Sequence, residues 1–137
     1  MGNRFNDIPG TRPAVVTLGD IAANADLASM VFVAPFDCEI AAKIMVGANS
    51  ASHTANYATI ALLNGGATGT TTTSLGSLST QDTTGGQSLT ANTLTTLTLT
   101  SNELSEGDIV RMTVTQASTG VALDSLSAYI TYWPPTS

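Results

Sequence analysis

Apolar and polar residues alternate through Cys38–Val46. Cys38, Ile40, Ala42, Ile44 and Val46 fall on one side, and Glu39, Ala41, Lys43 and Met45 on the other. A period of two is the mark of a strand with one buried face. The same period recurs downstream. In Leu94–Thr100, Leu97 and Leu99 point inward and Thr96, Thr98 and Thr100 outward. In Ile109–Thr115, Val110, Met112 and Val114 share a face, and in Ser125–Trp133 so do Leu126, Ala128, Ile130 and Tyr132. Tyr57–Leu63 adds Ile60 and Leu62 to the inward set. Met30–Ala34 is apolar at every position and stops at Pro35, which predicts a strand buried on both faces. Ala14–Leu18 is a short β-like run stopped at Gly19-Asp20, and Ile21–Leu27 reads as a loop or one helical turn. Thr70–Leu78 is a further strand candidate. Threonine is β-branched, so it favours a pleated backbone and tolerates water on an outer face.

Turn signals separate these runs: Asn64-Gly65-Gly66, Glu106-Gly107-Asp108, Ser118–Gly120 and the closing Pro134-Pro135. Gly47–Asn56 is a polar loop. Ser79–Asn92 is another, with a short pairing near Leu89. No segment keeps a helical period. About eight short strands without an amphipathic helix predict an all-β, two-sheet antiparallel sandwich, jelly-roll-like in form. Residues 1–13 hold Gly2, Pro9, Gly10 and Pro13 and read as an extended N-terminal arm, with residues 14–137 as the sandwich domain.

Composition narrows the chemistry. The chain has 137 residues, enough for one domain with a real core, and its 42% hydrophobic content excludes a disordered chain. Net charge is −6. Arg4, Arg12 and Asp7 give residues 1–13 a net +1, which leaves −7 on the remainder. That balance argues against bare nucleic acid, which calls for clustered Lys and Arg. No apolar stretch approaches the roughly 20 residues of a membrane-spanning helix. The first residues lack the apolar run of a signal peptide, and Asn6 stands where a myristoylation motif needs Ser or Thr. Synthesis in a cytoplasm is the expectation.

Groups that do chemistry are few. His53 is the single histidine and lies in a polar loop, where a solvated ring is the ordinary outcome. Cys38 is the single cysteine, so no intrachain disulfide forms. It sits on an inward strand face as a small hydrophobe. One His and one Cys do not make a structural zinc site. Asp37, Glu39, Asp82, Asp108 and Asp124 are scattered and match no calcium-loop spacing, although a calcium ion at a loop cluster or subunit interface stays open. No catalytic residue, cofactor or metal site is assigned, and the chain reads as a non-enzyme. Tyr129, Tyr132 and Trp133 cluster on the last strand. Alternation turns Tyr132 inward and presents Tyr129 and Trp133 on the outer face, for interface burial, ordinary packing or sugar stacking. Met45 and Ile109 join them as outward apolar residues that need covering.

Four segments carry a resemblance. They are Val31–Ile40 (VFVAPFDCEI), Ala58–Gly66 (ATIALLNGG), Leu104–Val114 (LSEGDIVRMTV) and Ala128–Tyr132 (AYITY). In strand-and-turn style these resemble the capsid decoration, or cement, proteins of tailed bacteriophages, over roughly Ala28 to Trp133. Cys38 stands where a glycine is expected after the corner aspartate. The resemblance implies a structural virion protein that binds the outside of an icosahedral shell, commonly as a trimer. Its partners would then be the major capsid protein and two further copies of itself. The side chains offered to a partner are Arg4, Phe5, Ile8 and Arg12 in the arm, and Tyr129 and Trp133 on the body. A glycan-binding module or tail-fibre tip recognising a host surface is the alternative. A small β-sandwich hydrolase built on His53 is a third reading.

Overall fold

The computed structural model describes residues 10–82 and 87–135. Nine strands follow one another: β1 (Arg12–Ile21), β2 (Leu27–Val33), β3 (Cys38–Met45), β4 (Tyr57–Asn64), β5 (Thr73–Ser79), β6 (Thr95–Leu97), β7 (Glu103–Leu104), β8 (Ile109–Ala117) and β9 (Leu123–Trp133). One 3-10 turn, Gly66–Thr68, interrupts them. The strands form two antiparallel sheets. The first has the order β1-β9-β3-β6, with β7 also paired to β3, and the second has the order β2-β8-β4-β5.

That order defines a rolled ribbon. Counted as one broken strand, β6 and β7 together are the sixth of eight. First then pairs with last, second with seventh, third with sixth, and fourth with fifth. The pairs β3·β9 and β4·β8 complete the sheets. A long antiparallel ribbon folded in this way is a jelly roll. The predicted two-sheet sandwich is therefore the observed fold.

The core lies between the sheets, and period two builds it. Ile40, Ile44, Val46, Ile60, Leu62, Leu97, Val110, Met112, Val114, Leu126 and Ile130 are all buried, as their alternation predicts. Leu99 is only partly buried. β6 ends at Leu97, and the chain then crosses to the second sheet, where Leu99 bridges Gly76 and the amides of Thr100 and Ser101 donate to the Leu75 carbonyl. A Cβ on Gly76 would collide with the Thr98 carbonyl, so glycine permits this crossing. The two buried hydroxyls are satisfied. Thr80 bonds Ala58, and Ser50 donates to the Ala122 carbonyl at 3.1 Å.

Three local expectations need correction. β1 runs from Arg12 to Ile21, past Gly19-Asp20, because a register shift at Gly19 (φ +87°) absorbs the stop as a bulge. Pro13 lies inside this strand opposite Thr131. β1 is an edge strand, where the missing amide proton is tolerated. The body therefore begins at Arg12, and Arg12 and Pro13 belong to it rather than to an arm. The remaining arm calls, on residues 1–9, lie outside the described residues. Second, β2 is not buried on both faces: it is an edge strand on which Met30 and Val33 stand open to solvent. Third, the strand expected at Thr70 starts at Thr73. The chain first turns at Gly66–Thr68, and Thr71 donates back to the Gly65 carbonyl.

Ile44 is fully buried and its replacement by Ala should cost about 2–5 kcal/mol. Thr96 is exposed on β6, and Thr96→Ala should change stability by less than about 0.5 kcal/mol. Gly76→Ala should cost about 1–3 kcal/mol by forcing the crossing apart. Denaturant midpoints on the three variants check this set.

Candidate interaction surface

The polar groups that a sequence search singles out are occupied in holding loops. His53 Nδ1 accepts the amide protons of Ala55 and Asn56, at 3.1 and 3.0 Å, which places the ring proton on Nε2. The His53 amide donates to the Thr80 carbonyl, and Thr54 Oγ1 donates to Asp82 at 2.7 Å. Thus the Gly47–Asn56 loop is tied to the residues after β5. Asp37 accepts the Glu106 amide, and Asp108 accepts both the Ser105 amide and the Asn64 side chain. Asp20 and Asp26 accept the amides of Ser125 and Gln116. Each of these aspartates joins one loop to another element, which is the physical reason they are scattered in sequence. Among the described residues no group of three His, Cys, Asp or Glu is arranged to hold a metal ion.

Cys38 is 1% exposed, opposite Leu104 at the junction of β3 and β7. Burial pushes its thiol pKa up, and the nearby Asp37 and Asp108 carboxylates push it further. Such a thiol is a packing group rather than a nucleophile.

Arg12 and the two aromatic candidates separate in space. Arg12 opens β1 opposite Tyr132, with its guanidinium 5.5 Å from the Phe36 ring centroid. Tyr132 in turn packs on Phe36 at 5.9 Å and on Phe32 at 5.0 Å. Arg12 thus caps an aromatic cluster at one end of the sandwich, where Arg12, Pro35, Phe36 and Pro134 line a cleft of about 370 Å³. Tyr129 and Trp133 lie on the outer face of the first sheet, as alternation predicts. Tyr129 sits between Val15 and Lys43 in register, and Trp133 opposite Glu39. Four residues apart on one strand, they are about 13 Å distant and do not form a pair. Both are half-buried, as are Met45 and Ile109. Arg4, Phe5 and Ile8 lie outside the described residues.

The most exposed large apolar residues are others: Val15 (62%), Met30 (57%), Val33 (46%) and Leu94 (46%). Val15 was detectable from alternation, since Ala14, Val16 and Leu18 turn toward the core. Met30 and Val33 were not, because a register shift between Met30 and Phe32 overrides the period. Where β6 gives way to β7, the edge of the first sheet opens. There Lys43, Thr96, Asn102 and Trp133 help line a shallow cleft of about 310 Å³.

No protein-family model matches this chain, and no curated protein matches it. Among solved structures, a chain from the structure of infectious bursal disease virus, Gx strain, is similar over 89% of this chain at 11% identity and a TM-score of 0.40. This chain spans 33% of that viral chain. The jelly-roll assignment rests on the strand order, and that fold serves viral capsid domains, lectins and cupins alike.

Cys38 should resist alkylation in the native protein near pH 8 and react at once on unfolding. Mass spectrometry after timed iodoacetamide treatment checks this. Its raised pKa also fixes the sign of a pH effect. Above the unfolded thiol's pKa of about 8.5 the unfolded state loses its proton first, so stability falls as pH rises, and Cys38→Ala removes that slope.

Proposed function

We propose that this chain is a structural virion protein that binds the outside of an icosahedral phage capsid and stabilises it, acting without catalysis. The observation that carries this reading is the outer face of the first sheet. Val15, Tyr129, Lys43 and Thr96 follow one another in cross-strand register on a rigid pleat. A platform of this kind suits many identical contacts with a repeating shell. The sequence resemblance to phage decoration proteins supports the same role. In this reading the partner is the major capsid protein and the working form is a homotrimer on three-fold positions. The protein is made in the host cytoplasm and resides on the capsid's outer surface. A ligand that binds only the assembled shell stabilises it by mass action. Nucleic acid, membrane and cofactors play no part in it.

A second reading, recognition of a host glycan, is favoured by the cleft beside Trp133. Its indole, with the Lys43 amine and the Asn102 amide, offers a stacking surface and polar contacts.

Co-sedimentation with purified shells, followed by electron microscopy, tests both. The intact protein should bind the outer surface and raise the shell's disassembly temperature. Val15→Glu and Tyr129→Ala should each weaken shell binding by roughly tenfold, equivalent to about 1.4 kcal/mol. Absence of binding to any shell, with binding to a glycan array lost in Trp133→Ala, would favour the second reading. Anchoring through Arg4, Phe5 and Ile8 is checked by deleting residues 2–9, which leaves β1 whole. The truncated protein should keep its melting curve and lose most of its shell binding, and undiminished binding refutes the anchor.

A further inference from the structure

The second sheet carries an outward face that the first reading does not use. On β2 the register shifts between Met30 and Phe32, so Val31 and Phe32 are both buried and the residues on either side, Met30 and Val33, are both turned out. Strict alternation would place those two on opposite faces. Bulges at sheet edges re-aim side chains, and this one gives up ladder pairing to expose two large apolar groups together.

Register makes the patch continuous. Met30 lies opposite Arg111, Arg111 opposite Leu63, and Val33 opposite Ile109. Arg111 is therefore ringed by aliphatic side chains near the centre of the patch. Among the described residues its guanidinium has no hydrogen bond, ion pair or ring contact, although the chain carries ten carboxylates. A half-buried guanidinium with aliphatic neighbours is set up to receive a carboxylate from outside. Once the rim excludes water, that pair gains strength.

We infer that this face binds a second copy of the same chain, head to tail, with Arg111 meeting Glu103 and Glu106 of the neighbour. The charge distribution selects the occupant and the geometry. A two-fold arrangement of the patch on itself would bring Arg111 toward Arg111. The chain's own surface is acidic instead, at net −6. Glu103 and Glu106 are exposed on and after β7, and neither side chain has a partner among the described residues. An interface between two different patches repeats around a ring when its rotation closes. The aliphatic rim supplies apolar area, and the single cation sets the register of the contact.

Analytical ultracentrifugation at low salt tests this on the full chain. The wild type should sediment as a closed oligomer larger than a dimer. Met30→Ser with Val33→Ser, and separately Arg111→Glu, should sediment as monomers or associate at least tenfold more weakly, with unchanged far-UV CD. Both sites are on the surface, and intact spectra exclude misfolding as the cause. The triple variant R111E/E103R/E106R should regain the oligomer by restoring the pair in reverse. A monomeric wild type at every concentration, a two-fold dimer, or undiminished assembly of the Met30/Val33 variant overturns the inference. So does a monomeric triple variant. No shell enters the measurement, so its outcome is separate from that of the capsid reading: a monomeric variant that still binds shells removes the ring alone.

Discussion

The last strand must insert between the first and the third, and the rest of the molecule depends on that insertion. β9 supplies Leu123, Leu126, Ala128 and Ile130 to the core while hydrogen-bonding β1 on one side and β3 on the other. Without it β1 has no partner, and β3 keeps only the short β6 and β7. Its final inward residue, Tyr132, reaches Phe32 on the other sheet and fastens the two layers at one end. Nearly every pairing joins distant parts of the chain, so the loop-closure entropy is met only when the whole roll forms.

That constraint divides the surface into regions with different tasks. Inside, the alternating aliphatic rows leave no choice of residue. Outside, the two sheets differ. The first presents a flat register of Val15, Tyr129 and Lys43, and the second an aliphatic ring around Arg111. Both edge strands carry bulges, β1 around Gly19 and β2 after Met30. Bulged edges resist uncontrolled strand addition, which a protein with long exposed edges must avoid. At β2 the same bulge also creates the apolar patch, so one irregularity limits one kind of association and permits another.

The polar residues serve this architecture. His53 closes its own loop through Nδ1, and Asp20, Asp26, Asp37 and Asp108 each join separate elements through backbone amides or an amide side chain. Such bonds fix loops at both ends of the sandwich and leave the sheet faces as its broad presenting surfaces. Function then depends on which surface is offered, at what register, and to how many neighbours. The fold alone does not decide that, because jelly rolls host shells, lectins and enzymes alike.

Period-two alternation by itself determined which residues are inside. The strand from Cys38 shows its buried face from Cys38 to Val46 without reference to any neighbour, since successive side chains leave a strand on opposite sides. Turns at Gly107 and Gly120, the outward placement of Tyr129 and Trp133, and the two-sheet class follow from equally local rules. Strand order was beyond sequence, because any antiparallel arrangement with the same inward rows buries the same residues. The bulges were beyond it too. Whether Met30 and Val33 share a face depends on how β8 lies beside β2, and whether β1 continues past Gly19 depends on β9. Arg12 likewise reads as part of a polar arm until β9 offers it a ladder and Phe36 a ring. Only the tertiary structure decided these points, because register is a relation between strands and no single strand contains it.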